Sequence, residues 1–176
     1  MIGVALVPVF LVACALLAVS GIWKLRAPAS ARASLQAVGV AVPLVAVRLI
    51  GVAEVALGVV AALRPGPLTA ALVSGAYGAF LFTTVRLLGV EGDADCGCFG
   101  AASAVVSRSH AVLNSVACVC AALAAAFPPP GVAWIANRSP LVAVTLVVGT
   151  AAAAFAVYAV FTLFAPAWRA YGSRSA

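Results

Sequence analysis

The chain has 176 residues, of which 66% are hydrophobic and 8% charged, with ten Lys/Arg against four Asp/Glu and a formal net charge of +6. A soluble domain carries about 45–50% apolar and about 25% charged residues, so soluble globular, disordered and coiled-coil readings are excluded and an integral protein of the lipid bilayer is expected. The basic residues stand singly between apolar runs, which marks them as headgroup anchors and topology signals rather than a nucleic-acid surface; no nucleic-acid partner is expected.

Five apolar stretches follow one another without period-2 alternation, which predicts transmembrane helices and not a barrel. The first covers residues 2–23 and closes on Lys24, Leu25 and Arg26. Leu11-Val12-Ala13-Cys14 resembles a lipoprotein cleavage box, but no basic residue precedes it and the apolar run continues past Cys14, so the helix is expected to be retained. A small polar segment, residues 27–36, leads to the second stretch, residues 40–63, which contains Arg48 and Glu54. Arg64-Pro65-Gly66-Pro67 reads as a tight turn. The third stretch, residues 68–90, carries Arg86 near its end and opens into the acidic loop 91–110 with Cys96 and Cys98. The fourth, residues 111–127, stops at Pro128-Pro129-Pro130, and the fifth, residues 140–165, is followed by Arg169 and Arg174. The expected fold is an all-α polytopic bundle of four core helices with an accessory fifth. Residues 1–130 form the four-helix membrane domain, and 131–176 supply the fifth helix and a short basic tail. Abundant glycine, serine and alanine suit close helix contact in lipid.

Alternation of the spans gathers Lys24, Arg26, Arg32, the cysteine loop, Arg108 and His110 on one membrane face, with Arg48 and Arg86 one to two turns below it. Counting positive residues puts that face in the cytoplasm.

Asp95-Cys96-Gly97-Cys98-Phe99-Gly100 carries the clearest chemistry. Gly97 permits the sharp turn that a Cys-x-Cys disulfide requires, and a strained, exposed disulfide is readily reduced. Lys24, Arg48 and Arg86 converge on the same face and would stabilise a thiolate. The competing reading is a static brace. Cys118 and Cys120 form a second Cys-x-Cys, but residues two apart on a helix diverge by about 200°, so they cannot share an ion or bridge each other. No metal site is expected, and Cys14, Cys118 and Cys120 are read as small buried hydrophobes.

Glu54 falls near the middle of its span, where an ionisable group is costly. Two readings stand. It handles protons for thiol chemistry or hydrogen-bonds a quinone-like ligand, or it fixes helix packing through Tyr77, Thr83 or Ser74. His110 is read as a solvated loop histidine, with proton transfer as the alternative. Trp23, Trp134 and Trp168 suit the membrane interface.

Ser20-Gly21-Ile22-Trp23-Lys24-Leu25, Glu54-Val55-Ala56-Leu57-Gly58 and Asp95-Cys96-Gly97-Cys98-Phe99-Gly100 occur in this order within residues 3–127. On these segments the chain resembles the methylamine utilisation protein MauE family, within the wider MauE/DoxX-like group. The resemblance implies a membrane component of a thiol–disulfide system that matures extracytoplasmic proteins, as for the disulfide-rich small subunit of methylamine dehydrogenase. It implies a thioredoxin-like redox partner, an extracytoplasmic client, and Cys96 and Cys98 as redox pair. Lys24 and Glu54 support that pair, a quinone is the one cofactor to consider, and the location is the cell membrane. It also turns the cysteine face outward, against the positive count, on the ground that Lys24, Arg48 and Arg86 are kept for the thiol site. The alternatives are a non-catalytic assembly factor and, on Glu54 with Arg48, a small-solute carrier.

Overall fold

The computed structural model describes residues 2–89, 106–160 and 162. Its helices are α1 (Ile2–Arg26), α2 (Pro28–Ala37), α3 (Leu44–Leu63), α4 (Pro67–Leu88), α5 (Arg108–Ala126), α6 (Val132–Arg138) and α7 (Pro140–Ala159). α1, α3, α4, α5 and α7 are long and apolar enough to cross a bilayer, so the five expected spans are present. No strand occurs among the described residues.

Two helices depart from the expectation of connecting segments. α2 starts with Pro28 at its first position, where the missing N–H would have had no partner. It turns Pro28, Ala31 and Ser34 inward, a spacing of three that a ten-residue polar-looking string conceals. α6 fits between Gly131 and Ser139 before Pro140 starts α7. The fourth span begins at Arg108 rather than residue 111, because Nδ1 of His110 accepts from the Ser107 backbone N–H and closes the first turn.

α1 packs along α3 and α4 packs along α5. α1 also touches α5, while α3 and α4 meet sparingly. The buried positions share one rhythm of alternating threes and fours. It runs Val7, Phe10, Cys14, Leu17, Gly21, Lys24 on α1 and Val47, Gly51, Glu54, Gly58, Ala61 on α3. On α5 it runs His110, Asn114, Ala117, Ala121, Ala124, and α4 keeps it through Ala70, Val73, Tyr77, Thr84 and Leu87 with half-buried Phe80 between. This is the seam of helices crossing at a shallow angle. α7 buries only Ala143 and Ala154 and leans on α1, with Trp23 and Tyr158 stacked at 6.5 Å between ring centroids. It is the accessory helix.

The ends of the bundle are fixed by backbone contacts. Gly131 lies against the Leu63 carbonyl and the Pro65 ring, and Gly3 lies against the carbonyls of Phe127 and Pro128. The α3–α4 turn therefore occupies one end. α2, the C-terminal end of α4 and the start of α5 occupy the other.

Candidate functional site

The seam changes character along its length. Near the α3–α4 turn it consists of Val7, Ala61, Ala70 and Ala124; toward the other end it holds Ser20, Lys24, Glu54, Thr84, Asn114 and His110, all buried. A polar core in lipid needs internal partners for every group, and the backbone supplies the geometry for them.

α1 and α3 touch backbone to backbone at two levels. A Cβ on Gly51 would lie 2.8 Å from the Gly21 carbonyl oxygen, and one on Gly58 would lie 2.6 Å from the Cys14 carbonyl oxygen. Glu54 stands between those two glycines on the same face, so the close crossing sets its carboxylate against α1. Lys24, one turn beyond Gly21, sends its side chain back toward its own helix N-terminus, as helical Cα–Cβ bonds direct. Its Nζ donates to Ser20 Oγ at 2.7 Å and to Glu54 Oε2 at 2.8 Å. Lys24 is 8% exposed and Glu54 6%. The single Lys of the chain thus meets the one carboxylate of the apolar spans. Glu54 lies ten residues into α3, about 15 Å at 1.5 Å per residue, half of an about 30 Å hydrocarbon core. Lys24 reaches inward rather than snorkelling to the headgroups.

The other helix pair contributes a second polar contact. Asn114 Nδ2 donates to Thr84 Oγ1 at 3.1 Å, and Thr84 Oγ1 donates to the Phe80 carbonyl at 2.8 Å. One turn above Asn114, buried His110 caps α5, its Nδ1 2.8 Å from Ser107 Oγ. This corrects the expectation of a solvated loop histidine: the capping turn draws the ring into the bundle.

Where α3 and α4 separate, a cleft of about 330 Å³ remains. Its inner wall is Lys24, Glu54 and Thr84, its sides are Ile50, Ala53 and Leu57 of α3 with Ala76, Ala79 and Phe80 of α4, and Ala31, Ser34 and Leu35 of α2 cover one end. The Lys24 ammonium sits 4.7 Å from the centre of the Phe80 ring. Ile50, Ala53 and Ala79 are exposed, so the cleft opens sideways to the bilayer.

The sequence-predicted residues fall into three groups. Lys24 and Glu54 are joined. Arg48 and Arg86 are both exposed, Arg86 lying over the Phe82 ring at 5.3 Å. Arg48 sits about 120° round α3 from Glu54, so the midplane pair that a carrier would use is not formed. Asp95, Cys96, Gly97 and Cys98 lie outside the described residues.

The packing partners expected for Glu54 are occupied elsewhere. Tyr77 Oη donates to the Ala13 carbonyl at 2.7 Å, Ser74 Oγ donates to the Cys118 carbonyl at 3.0 Å, and Thr83 Oγ1 donates to the Ala79 carbonyl at 2.9 Å. Lys24 takes their place, because the glycine crossing brings α1 closer to Glu54 than α4 comes. Cys14 is wholly buried, while Cys118 and Cys120 are half-buried; Cys118 lies against Ser74. Among the described residues no three His, Cys, Asp or Glu side chains cluster as a metal site would.

Ser20, Thr84, Asn114 and the cleft were not anticipated. Asn114 carried a readable signal, as a lone amide inside an apolar span, where side chains of this kind bond across helices. Ser20 is visible only once Lys24 is known to fold back one turn.

Comparison with protein families matches residues 2–127 to the one described as "Methylamine utilisation protein MauE". The match takes in α1 to α5 and ends before α6. No curated protein and no solved structure matches the chain.

Proposed function

We propose a function from one premise: the chain belongs to the methylamine utilisation protein MauE family. It is a multi-pass membrane protein. On our reading it is a thiol–disulfide redox protein of the cell membrane, or the electron-passing accessory of one, that supports disulfide formation in extracytoplasmic proteins. Cys96 and Cys98 alternate between dithiol and disulfide, exchanging with a thioredoxin-like partner that serves the client.

The observation that carries this reading is the buried Lys24–Glu54 pair. Removing two charges from water costs several kcal/mol per ion, and apolar replacements of similar volume are often as stable or more so. A pair kept at that cost, in the polar part of the seam with Ser20, Thr84 and Asn114, is better explained by chemistry than by packing. It offers a carboxylate and an ammonium in hydrogen-bond contact, which can hold or pass a proton when a thiol is oxidised.

The test is to trap the exchange. With Cys96→Ser or Cys98→Ser, the remaining thiol should form a mixed disulfide with a thioredoxin-like protein in intact membranes. In the unaltered protein, the pair should titrate reversibly with mild dithiol reductants. A pair that resists reduction and traps nothing would make the cysteines a brace and the protein a non-catalytic assembly factor.

A further inference from the structure

The α3–α4 cleft has a ligand chemistry of its own. Its walls are aliphatic and aromatic, and it opens to lipid rather than to water. Its charged groups are the Lys24–Glu54 pair on the inner wall, beside Thr84 and close to the bilayer midplane, while the lining hydroxyls of Ser34 and Thr83 donate to the Ser30 and Ala79 carbonyls of their own helices. An ammonium has three N–H donors. Two are used by Ser20 and Glu54, the third has no hydrogen-bond acceptor among the described residues, and the Phe80 ring, itself a wall of the cleft, lies 4.7 Å from the ammonium. The site thus offers one charged donor beside an aromatic surface at the inner end of an apolar slot. A volume of about 330 Å³ stands at the small end of the range for small-molecule sites, about 300–1,000 Å³.

Depth selects among lipid-borne molecules. A phospholipid headgroup cannot descend about 15 Å below the interface without losing its hydration. A fatty-acid carboxylate would bring a second anion beside Glu54. A neutral ring bearing carbonyl oxygens on a long apolar tail meets every requirement: a carbonyl for the free N–H, a flat face for Phe80 and a tail for the open side.

We propose that the cleft binds the ring of an isoprenoid quinone, with one carbonyl oxygen accepting from Lys24 Nζ and the tail leaving between Ile50 and Ala79. Binding does not require the thiol function. Where both hold, one turnover takes two electrons and two protons from the Cys96/Cys98 dithiol, leaving a disulfide, and delivers them to the quinone, leaving a quinol; that coupling rests on the function proposed above.

The experiment uses the full chain in lipid nanodiscs with a photoreactive azido-quinone and mass spectrometry of the labelled peptides. Labels are expected in the 47–57 and 76–84 peptides. Excess unlabelled quinone should displace them, whereas equal oleate or phosphatidylglycerol should not. Ala79→Trp, which fills the slot from its lipid side, should abolish the labelling without lowering the Tm. Lys24→Met/Glu54→Gln should weaken binding by about ten- to a hundredfold, the loss of one hydrogen bond to a charged donor. Labelling spread evenly over the spans including α7, or equal displacement by oleate, overturns the proposal. The Cys96→Ser/Cys98→Ser protein should label normally, so failure of the cleft and failure of the thiol reading are separately visible.

Discussion

Gly21 and Gly51 face each other so closely that a Cβ on Gly21 would lie 2.5 Å from the Gly51 carbonyl oxygen. Van der Waals contact of this kind stands in for the hydrophobic drive that helices lack in lipid. Gly75, on α4, has nothing within 4 Å of its would-be Cβ.

The same substitution should therefore have opposite signs at these positions. Gly21→Ala and Gly51→Ala should destabilise by about 1–3 kcal/mol or more, since the helices must part. Gly75→Ala should stabilise slightly, because alanine favours a helix interior by up to about 1 kcal/mol over glycine. Thermal unfolding in detergent measures this, and equal shifts at Gly51 and Gly75 would contradict the crossing.

Breaking the Lys24–Glu54 pair from one side should cost more than removing it. Lys24→Met or Glu54→Gln alone leaves a buried charge uncompensated, a loss of about 3–5 kcal/mol. The double substitution should be milder than either single one. Glu54→Gln is therefore not the silent change that an uncharged packing role predicts. Additive losses in a double-mutant cycle would show that the two groups do not interact.

The Asn114–Thr84 bond should be worth less. Hydrogen bonds between membrane helices average about 0.6 kcal/mol and reach about 1.7, so Asn114→Val or Thr84→Val should lower stability by that order. Combining them should add little. A combined loss equal to the sum of the two would mean that each side chain bonds elsewhere.

Layout and orientation can be read with one membrane-impermeant maleimide. Gly66→Cys and native Cys96 should label from opposite faces, since the α3–α4 turn and the end where α4 stops lie at opposite ends of the bundle. Labelling from one face would break the fold assignment. The proposed function further expects Cys96 to label from outside intact cells; protection of Cys96 until lysis would rule out direct contact with extracytoplasmic clients.

Much of the fold was legible because the bilayer imposes length and polarity limits that composition reveals at once. Spans, turns and the accessory role of the last helix followed from apolar runs and proline. The seam was not legible. In runs where nearly every residue is Ala, Val or Leu, no polar face contrasts with the buried one, so the rhythm through Val47, Gly51, Glu54, Gly58 and Ala61 cannot be told from its neighbours. Glu54 stood out by its cost, yet its partner did not. Lys24 looked like a headgroup anchor or a cation for the thiol pair, and only the glycine crossing brings it within reach of Glu54. α2 was hidden for another reason: ten residues rich in Ala and Ser carry little apolar bulk, so the inward face of Pro28, Ala31 and Ser34 does not read as a hydrophobic stripe.

The pairing of Lys24 with Glu54 also constrains how the chain enters the membrane. A charged side chain at the centre of a span costs about 2.5–3.5 kcal/mol on insertion scales, and α3 carries Glu54 together with Arg48. α3 would be a poor candidate for solitary release into lipid. α1, already synthesised and bearing the neutralising ammonium, lies only seventeen residues upstream, from Arg26 to Leu44. The two spans would then leave the insertion machinery together as an antiparallel hairpin, with α1 acting as an escort for α3. On this route, replacing Lys24 would first appear as failure of the second span to integrate.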